Sequence, residues 1–241
     1  MAYPTKDNEW HDVLNNLRIK LRREMSGDVS MSMQEKGVQY GINFGVTLPK
    51  LQEMAGSLPQ QSSLAELMWS KDVREMKLLA IMLLEQQDPS PETVYQMIAE
   101  SPTLEMSEQI VIRLVAQQEW APELALRLWK EQGSISKDMM TTSYIILTRL
   151  AFQRAVPAKI LDLARRAITR DLSQDPAVQL QTYILRALST MVEKQPELRP
   201  WVSELAFELA SNDTDTPPYL IGTELLSLID FIEAETTEER P

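Results

Sequence analysis

Few side chains in this sequence are available for chemistry. Its 241 residues include one histidine, His11, and no cysteine. That composition removes thiol nucleophiles, iron–sulfur and Cys/His zinc sites, disulfides and any multi-histidine metal centre. A histidine-centred triad would need a serine in a context the sequence does not show. Any catalysis would therefore run on carboxylates, hydroxyls, lysine or arginine, and neither a metal nor a cofactor is expected. The more suggestive spacing is that of cations. Lys159, Arg166 and Arg170 lie at i, i+7 and i+11 and share one helix face, with Arg165 beside them and Arg154 in the preceding turn. These are candidate phosphate contacts. Together with Arg149 and Arg186, their placement on one face would favour DNA as partner, and a scattered placement would favour a protein. A second basic run, Arg18, Lys20, Arg22 and Arg23, follows an amphipathic pattern marked by Leu14, Leu17 and Leu21. Both runs also fit ordinary solvated helix faces, and Asp162 and Asp171 dilute the first.

The net charge of -11 is unevenly distributed. Residues 110–200 carry thirteen Lys/Arg against nine acids, whereas residues 201–241 carry one against ten. A nucleic-acid binder usually concentrates its basic residues and has a high pI. Here the pI is near 4.7, so a DNA role requires the locally basic third quarter to form one face. The acidic end, Ile229 to Glu239, would repel DNA, compete for a basic groove or aid solubility.

These side chains must be positioned by helices. Only seven glycines are present, alternating Val/Ile/Thr runs are lacking, and apolar residues recur at three- and four-residue intervals almost throughout. Stripes are predicted at Leu78, Leu79, Met82 and Leu83; at Ile110, Val111, Leu114 and Val115; at Leu124, Leu128 and Trp129; and at Ile160, Leu161, Ala164 and Ile168. Prolines 91, 122, 157, 176 and 196 mark helix starts, since a missing N–H costs nothing in a first turn. The reading is all-α, with roughly a dozen helices joined by short connections. Helix pairs recurring about every 35 to 45 residues suggest an α-solenoid, with a compact bundle as the alternative. The repeat domain is expected over residues 1–210, followed by a terminal helix and acidic tail over 211–241. No run approaches the roughly 18 apolar residues of a membrane span, and the start lacks a signal-peptide layout, so a cytoplasmic location is expected.

Residues 40–80 carry a more specific pattern. Tyr40-Gly41-Ile42-Asn43-Phe44-Gly45-Val46-Thr47-Leu48-Pro49 precedes Leu64-Ala65-Glu66-Leu67-Met68-Trp69-Ser70 and Arg74-Glu75-Met76-Lys77-Leu78-Leu79-Ala80. This pattern resembles the AlkD-type DNA alkylation repair family, in which a glycine, a small apolar residue and a proline enter a helix, followed by a Leu-Trp helix end and an Arg-Glu helix start. Residues 181–188 through Gln195-Pro196-Glu197 are similar to a late helix of that family. The similar stretches cover most of residues 30–210. The resemblance implies HEAT-like antiparallel helix pairs whose concave, basic face holds duplex DNA, and excision of N-alkylated purines. Cleaving the N-glycosidic bond builds oxocarbenium character that a fixed carboxylate stabilises, and a cationic base is already a good leaving group. On this resemblance Glu108 stands where the family has its catalytic aspartate. The tryptophan four residues earlier falls on Leu104, the DNA-contacting arginine near Ser143, and a lesion-facing tryptophan on Arg186. Glu is one methylene longer than Asp, which displaces its carboxylate by about 1 Å in a reaction that depends on position. A competing expectation is a helical-repeat scaffold that binds a protein through its concave surface.

Other features have plain readings. Trp10, Trp69, Trp120, Trp129 and Trp201 sit beside apolar periodic positions and are expected in the core or at repeat junctions. The thirteen methionines, Met31, Met33, Met139 and Met140 among them, are expected to fill core gaps. Gly37, Gly41 and Gly45 lack the Lys-Ser/Thr of a phosphate loop and point to helix termini and close packing. His11 is expected to be exposed or locally bonded.

Overall fold

The fold was analysed in a computed structural model that describes residues 10–131, 133–174 and 176–238. Among the described residues the regular structure is helical. It comprises thirteen α-helices, 3-10 turns at Glu85–Gln87 and Pro196–Leu198, a π-turn at Val111–Val115 and one isolated parallel bridge between Ile42 and Val73. The all-α expectation holds. The chain divides into two compact units, Met1–Leu114 and Val115–Pro241.

The first unit contains α1 (His11–Arg23), α2 (Gly27–Glu35), α3 (Leu48–Gly56), α4 (Ser62–Trp69), α5 (Arg74–Leu84), α6 (Pro91–Ala99) and α7 (Leu104–Ile110). Helix α1 buries Leu14, Leu17 and Leu21, the stripe read from its spacing. Helix α6 opens on Pro91, and the Ser90 hydroxyl accepts the Thr93 N–H at 3.2 Å, a cap that satisfies one of the orphan donors of the first turn. Helix α5 departs from expectation. Its spacing predicts one apolar stripe, but ten of its eleven residues are buried, Arg74 and Glu75 included. The reason is its central position: α3, α4 and α7 all pack against it. A helix enclosed on all sides has no solvated face to mark in the sequence.

The segment between α2 and α3 needs its glycines. Gly45 has φ +71°, and a Cβ there would lie 2.2 Å from the Ser26 carbonyl oxygen. Gly37, at φ +78°, follows the end of α2. This is the role in helix ends and close packing expected of the glycine set.

The second unit contains α8 (Ala121–Lys130), α9 (Lys137–Gln153), α10 (Ala158–Leu172), α11 (Val178–Lys194), α12 (Arg199–Ala210) and α13 (Pro217–Glu238). Pro122 is the second residue of α8, Pro157 caps α10, Pro176 precedes α11, and Pro196 opens the 3-10 turn that leads into α12. Consecutive helices pack as α8 with α9 and α12 with α13, and alternate helices as α8 with α10, α9 with α11 and α11 with α13. The terminal helix α13 thus belongs to this unit. It approaches α12 tightly at Gly222, where a Cβ would sit 2.5 Å from the Ala210 nitrogen. Leu124, Leu128, Trp129, Ile160, Ala164 and Ile168 are buried as their spacing predicts, and Leu161 is half-buried. No helix among the described residues is long and apolar enough to cross a membrane.

Candidate functional site

The cations singled out by spacing lie on three consecutive helices of the second unit: Arg149 on α9; Lys159, Arg166 and Arg170 on α10; Arg186 on α11. Two of them pair with carboxylates. Lys159 is committed to an ion pair with Glu123 on α8. Its ammonium draws the Glu123 carboxyl below the usual carboxylate range. Arg170 turns back onto its neighbour. Its Nε donates to Asp171 Oδ1 at 2.8 Å and its Nη2 reaches the same oxygen at 2.7 Å. The i, i+7, i+11 pattern registers which face a residue occupies but not the carboxylates that neighbouring helices bring to it. Arg166 and Arg186 are exposed and Arg149 is half-exposed. Arg166 donates to the carbonyl of Asp162 in its own helix, at 3.3 Å. Arg165 stacks 5.7 Å from the Trp201 ring and pairs with Glu204 and Glu208.

Arg170 belongs to a buried polar group that the sequence did not disclose. The Tyr144 hydroxyl, fully buried on α9, donates to Asp171 Oδ2 at 2.5 Å while Arg170 holds Oδ1. Burial first, and then the Asp171 charge, push the Tyr144 phenol well above its ordinary value. A group whose folded pKa is raised contributes stability that is complete below its unfolded value, about 10 for tyrosine, and lost as pH rises toward the folded value. Stability should therefore fall above about pH 10. Tyr144→Phe should make that fall shallower while lowering neutral-pH stability by about 1 kcal/mol. Urea denaturation at a series of alkaline pH values measures both. An unchanged alkaline slope in the variant would assign it to other groups.

Glu108, the position matched to a catalytic aspartate, lies on α7 and is half-buried. The helix is capped by Thr103, whose hydroxyl accepts the Met106 N–H at 3.4 Å, so its first-turn acid is Glu105 and Glu108 falls in the second turn. The other matched positions are also defined. Leu104 is buried. Ser143, near which the resemblance would put a DNA-contacting arginine, is fully buried, with its hydroxyl donating to the Met140 carbonyl at 2.6 Å.

The more elaborate constellation of the first unit is centred on Arg74 and Glu75. Arg74 donates to both oxygens of Glu105, at 3.2 and 3.0 Å from Nε and 2.5 Å from Nη2. Its Nη1 donates to the Val46 carbonyl at 3.0 Å and to Glu75 Oε1 at 3.1 Å. Glu75, completely buried, accepts the backbone N–H groups of Phe44 at 3.1 Å and Val46 at 3.3 Å. The Tyr40 hydroxyl donates to Glu105 Oε2 and lies 2.7 Å from the Thr103 hydroxyl. Burial, and then the bond to Glu105, raise the Tyr40 phenol above its ordinary range. Each donor in this set ends on an oxygen of the protein itself, so the set closes the 40–47 segment onto α5 and α7. The Tyr40 to Pro49 and Arg74-Glu75 stretches that carried the family resemblance are the ones joined here. The sequence did not disclose that they meet.

The remaining sequence readings are placed as follows. His11 Nε2 lies 2.8 Å from the Asn15 amide on an exposed face. Trp69 donates its ring N–H to Glu100 at 2.8 Å, with Lys77 4.4 Å from its centroid. Trp129 is buried against Tyr144. Met68, Met76, Met106 and Met191 are core, whereas Met25 and Met31 are exposed. Among the described residues no group of three or more His, Cys, Asp or Glu is arranged to hold a metal ion. No family model, curated protein or solved structure matches the chain.

Proposed function

We propose that this chain is a helical-repeat protein of the DNA alkylation repair type that binds duplex DNA without excising bases. The observation that carries this reading is the pair Arg149 and Arg186, solvent-accessible on α9 and α11, two helices that pack against each other. The packing of alternate helices, α8 on α10 and α9 on α11 on α13, supports a two-layered HEAT-like stack for residues 121–238. Guanidinium groups suit phosphate oxygens because their donors form a planar fork. Loss of excision follows from the substituted positions: a leucine and a buried serine replace a ring and a cation, and the carboxylate of Glu108 stands on a longer arm.

The test is binding of the purified protein to a short labelled duplex, plain and alkylated, from about 25 to about 200 mM salt. The expected result is affinity that falls steeply with salt, no release of free base, and a log–log salt slope reduced by roughly one for each of Arg149→Ser and Arg186→Ser, with Arg166→Ser, on α10 in the other layer, leaving it unchanged. Base release abolished by Glu108→Gln would restore the glycosylase. A second reading, a scaffold for a protein partner, is favoured by Phe152, Phe207 and Phe231, each about 60% exposed. Absence of DNA binding at the lowest salt would put that reading first.

A further inference from the structure

The second basic run of the sequence has an unusual place in the first unit. Arg18, Lys20, Arg22 and Arg23 are all exposed on α1, and none has a side-chain partner among the described residues. This contrasts with Arg74, Arg113, Lys159, Arg165 and Arg170, which are all paired with carboxylates. Two of the unpaired cations, Lys20 and Arg23, line a cleft of about 410 Å³ between α1 and α3, and Lys50 stands on its other side. Lys50 is only loosely engaged, at 3.9 Å from Glu24 and 3.6 Å from Glu53, with its side chain half exposed.

Adjoining this mouth is a smaller hollow of about 180 Å³ that shares Lys20, Met54 and Ser57 with it. Its lining is more apolar: Val13, Leu17, Met54, Leu58 and Pro59, with Asn16, Lys20 and Ser57 as its polar members. A cationic cleft therefore adjoins a mainly apolar recess. That combination is complementary to a molecule with an anionic head and a short hydrocarbon tail. The head would meet three ammonium or guanidinium groups, and the tail would remove apolar surface from water. Glu24 and Glu53 at the rim limit the net charge of the mouth to one positive unit. A single anionic head satisfies that charge, whereas an extended anionic surface would bring further negative groups against the two carboxylates.

We propose that the α1–α3 cleft is a binding site for a small soluble amphiphilic anion, a carboxylate or phosphate monoester on a short alkyl chain. The site is independent of the DNA reading, whose residues all lie in the second unit.

Octyl phosphate, at concentrations where it remains monomeric, is the probe, and titration calorimetry on the full chain is the readout. Saturable one-to-one binding is expected, weakened at least tenfold by Lys20→Ser combined with Arg23→Ser. Met54→Ser should weaken octyl phosphate several-fold while leaving inorganic phosphate, itself at least tenfold weaker, unchanged. All of these residues are wholly or partly exposed, so circular dichroism and the denaturation midpoint should be unaltered. The proposal is overturned if octyl phosphate does not saturate, if both sets of variants bind it as the parent does, or if inorganic phosphate binds equally well. It is also overturned if Lys20- and Arg23-dependent binding is seen only to phosphatidate-containing vesicles, since the partner would then be a bilayer surface.

Discussion

Glu75→Gln should destabilise the first unit by about 3–5 kcal/mol, the range for removing one partner of a buried ion pair. The side chain is nearly isosteric, so the loss is electrostatic rather than a cavity. The glutamate uses one oxygen for the Phe44 N–H and the other for the Val46 N–H and Arg74 Nη1. An amide accepts at one end only and turns a donor toward the other. At least one buried N–H then loses its acceptor, and Arg74, 4% exposed, keeps Glu105 and the Val46 carbonyl but loses one of its two countercharges. Chemical denaturation followed by fluorescence measures the shift, with Glu53→Gln as control. The Glu53 side chain is 76% exposed and its contact with Lys50 is long, so the control should stay within about 0.5 kcal/mol of the parent. A Glu75→Gln midpoint indistinguishable from that control would show that the 40–47 segment is held by something other than this carboxylate.

Gly45→Ala is the second large effect, expected at about 2–5 kcal/mol from two terms that act in the same direction. A residue with a Cβ pays about 1–2 kcal/mol to adopt the left-handed backbone that φ +71° represents. Its methyl would also lie 2.2 Å from the Ser26 carbonyl oxygen and 3.0 Å from the Ser30 nitrogen. Both are backbone atoms, which cannot rotate out of the way, and overpacking of this kind typically costs about 1–3 kcal/mol. The consequence reaches the neighbouring clasp, because Phe44 and Val46 present their N–H groups to Glu75 from either side of this glycine. The matched control is Gly56→Ala, at the end of α3, where nothing lies within 4 Å of an added Cβ and φ is not positive. Gly56→Ala should be neutral or slightly stabilising. Equal midpoints for the two variants would mean that the 40–47 segment can shift to admit a methyl group.

These two positions also show where sequence reading succeeded and where it ran out. The spacing of Leu14, Leu17 and Leu21 sufficed for α1, and the prolines at 91, 122, 157, 176 and 196 for five helix starts or turns. Helix identity rests on a local 3.6-residue period and on the missing N–H of proline, and both are written in consecutive residues. The glycine set, too, was readable as close packing, because few other roles remain for glycine in a segment without a phosphate-loop signature. The partners of the charged residues were not readable. Arg74 and Glu75 look like an ordinary charged helix start, yet both are buried, since α3, α4 and α7 surround α5 and leave no face for water. Lys159 and Arg170 share a face with Arg166, yet one is taken by a glutamate 36 residues earlier and the other by the adjacent aspartate that also holds Tyr144. The four cations of α1 look no different on paper, and these have no side-chain partner among the described residues.

Composition and spacing alone were enough for a helical chain with no thiol, a single histidine and two basic runs. Only the tertiary structure decided which of those cations are available to a ligand. Burial and ion pairing are set by side chains dozens of positions apart, whose meeting depends on how whole helices pack, and a local period does not encode that.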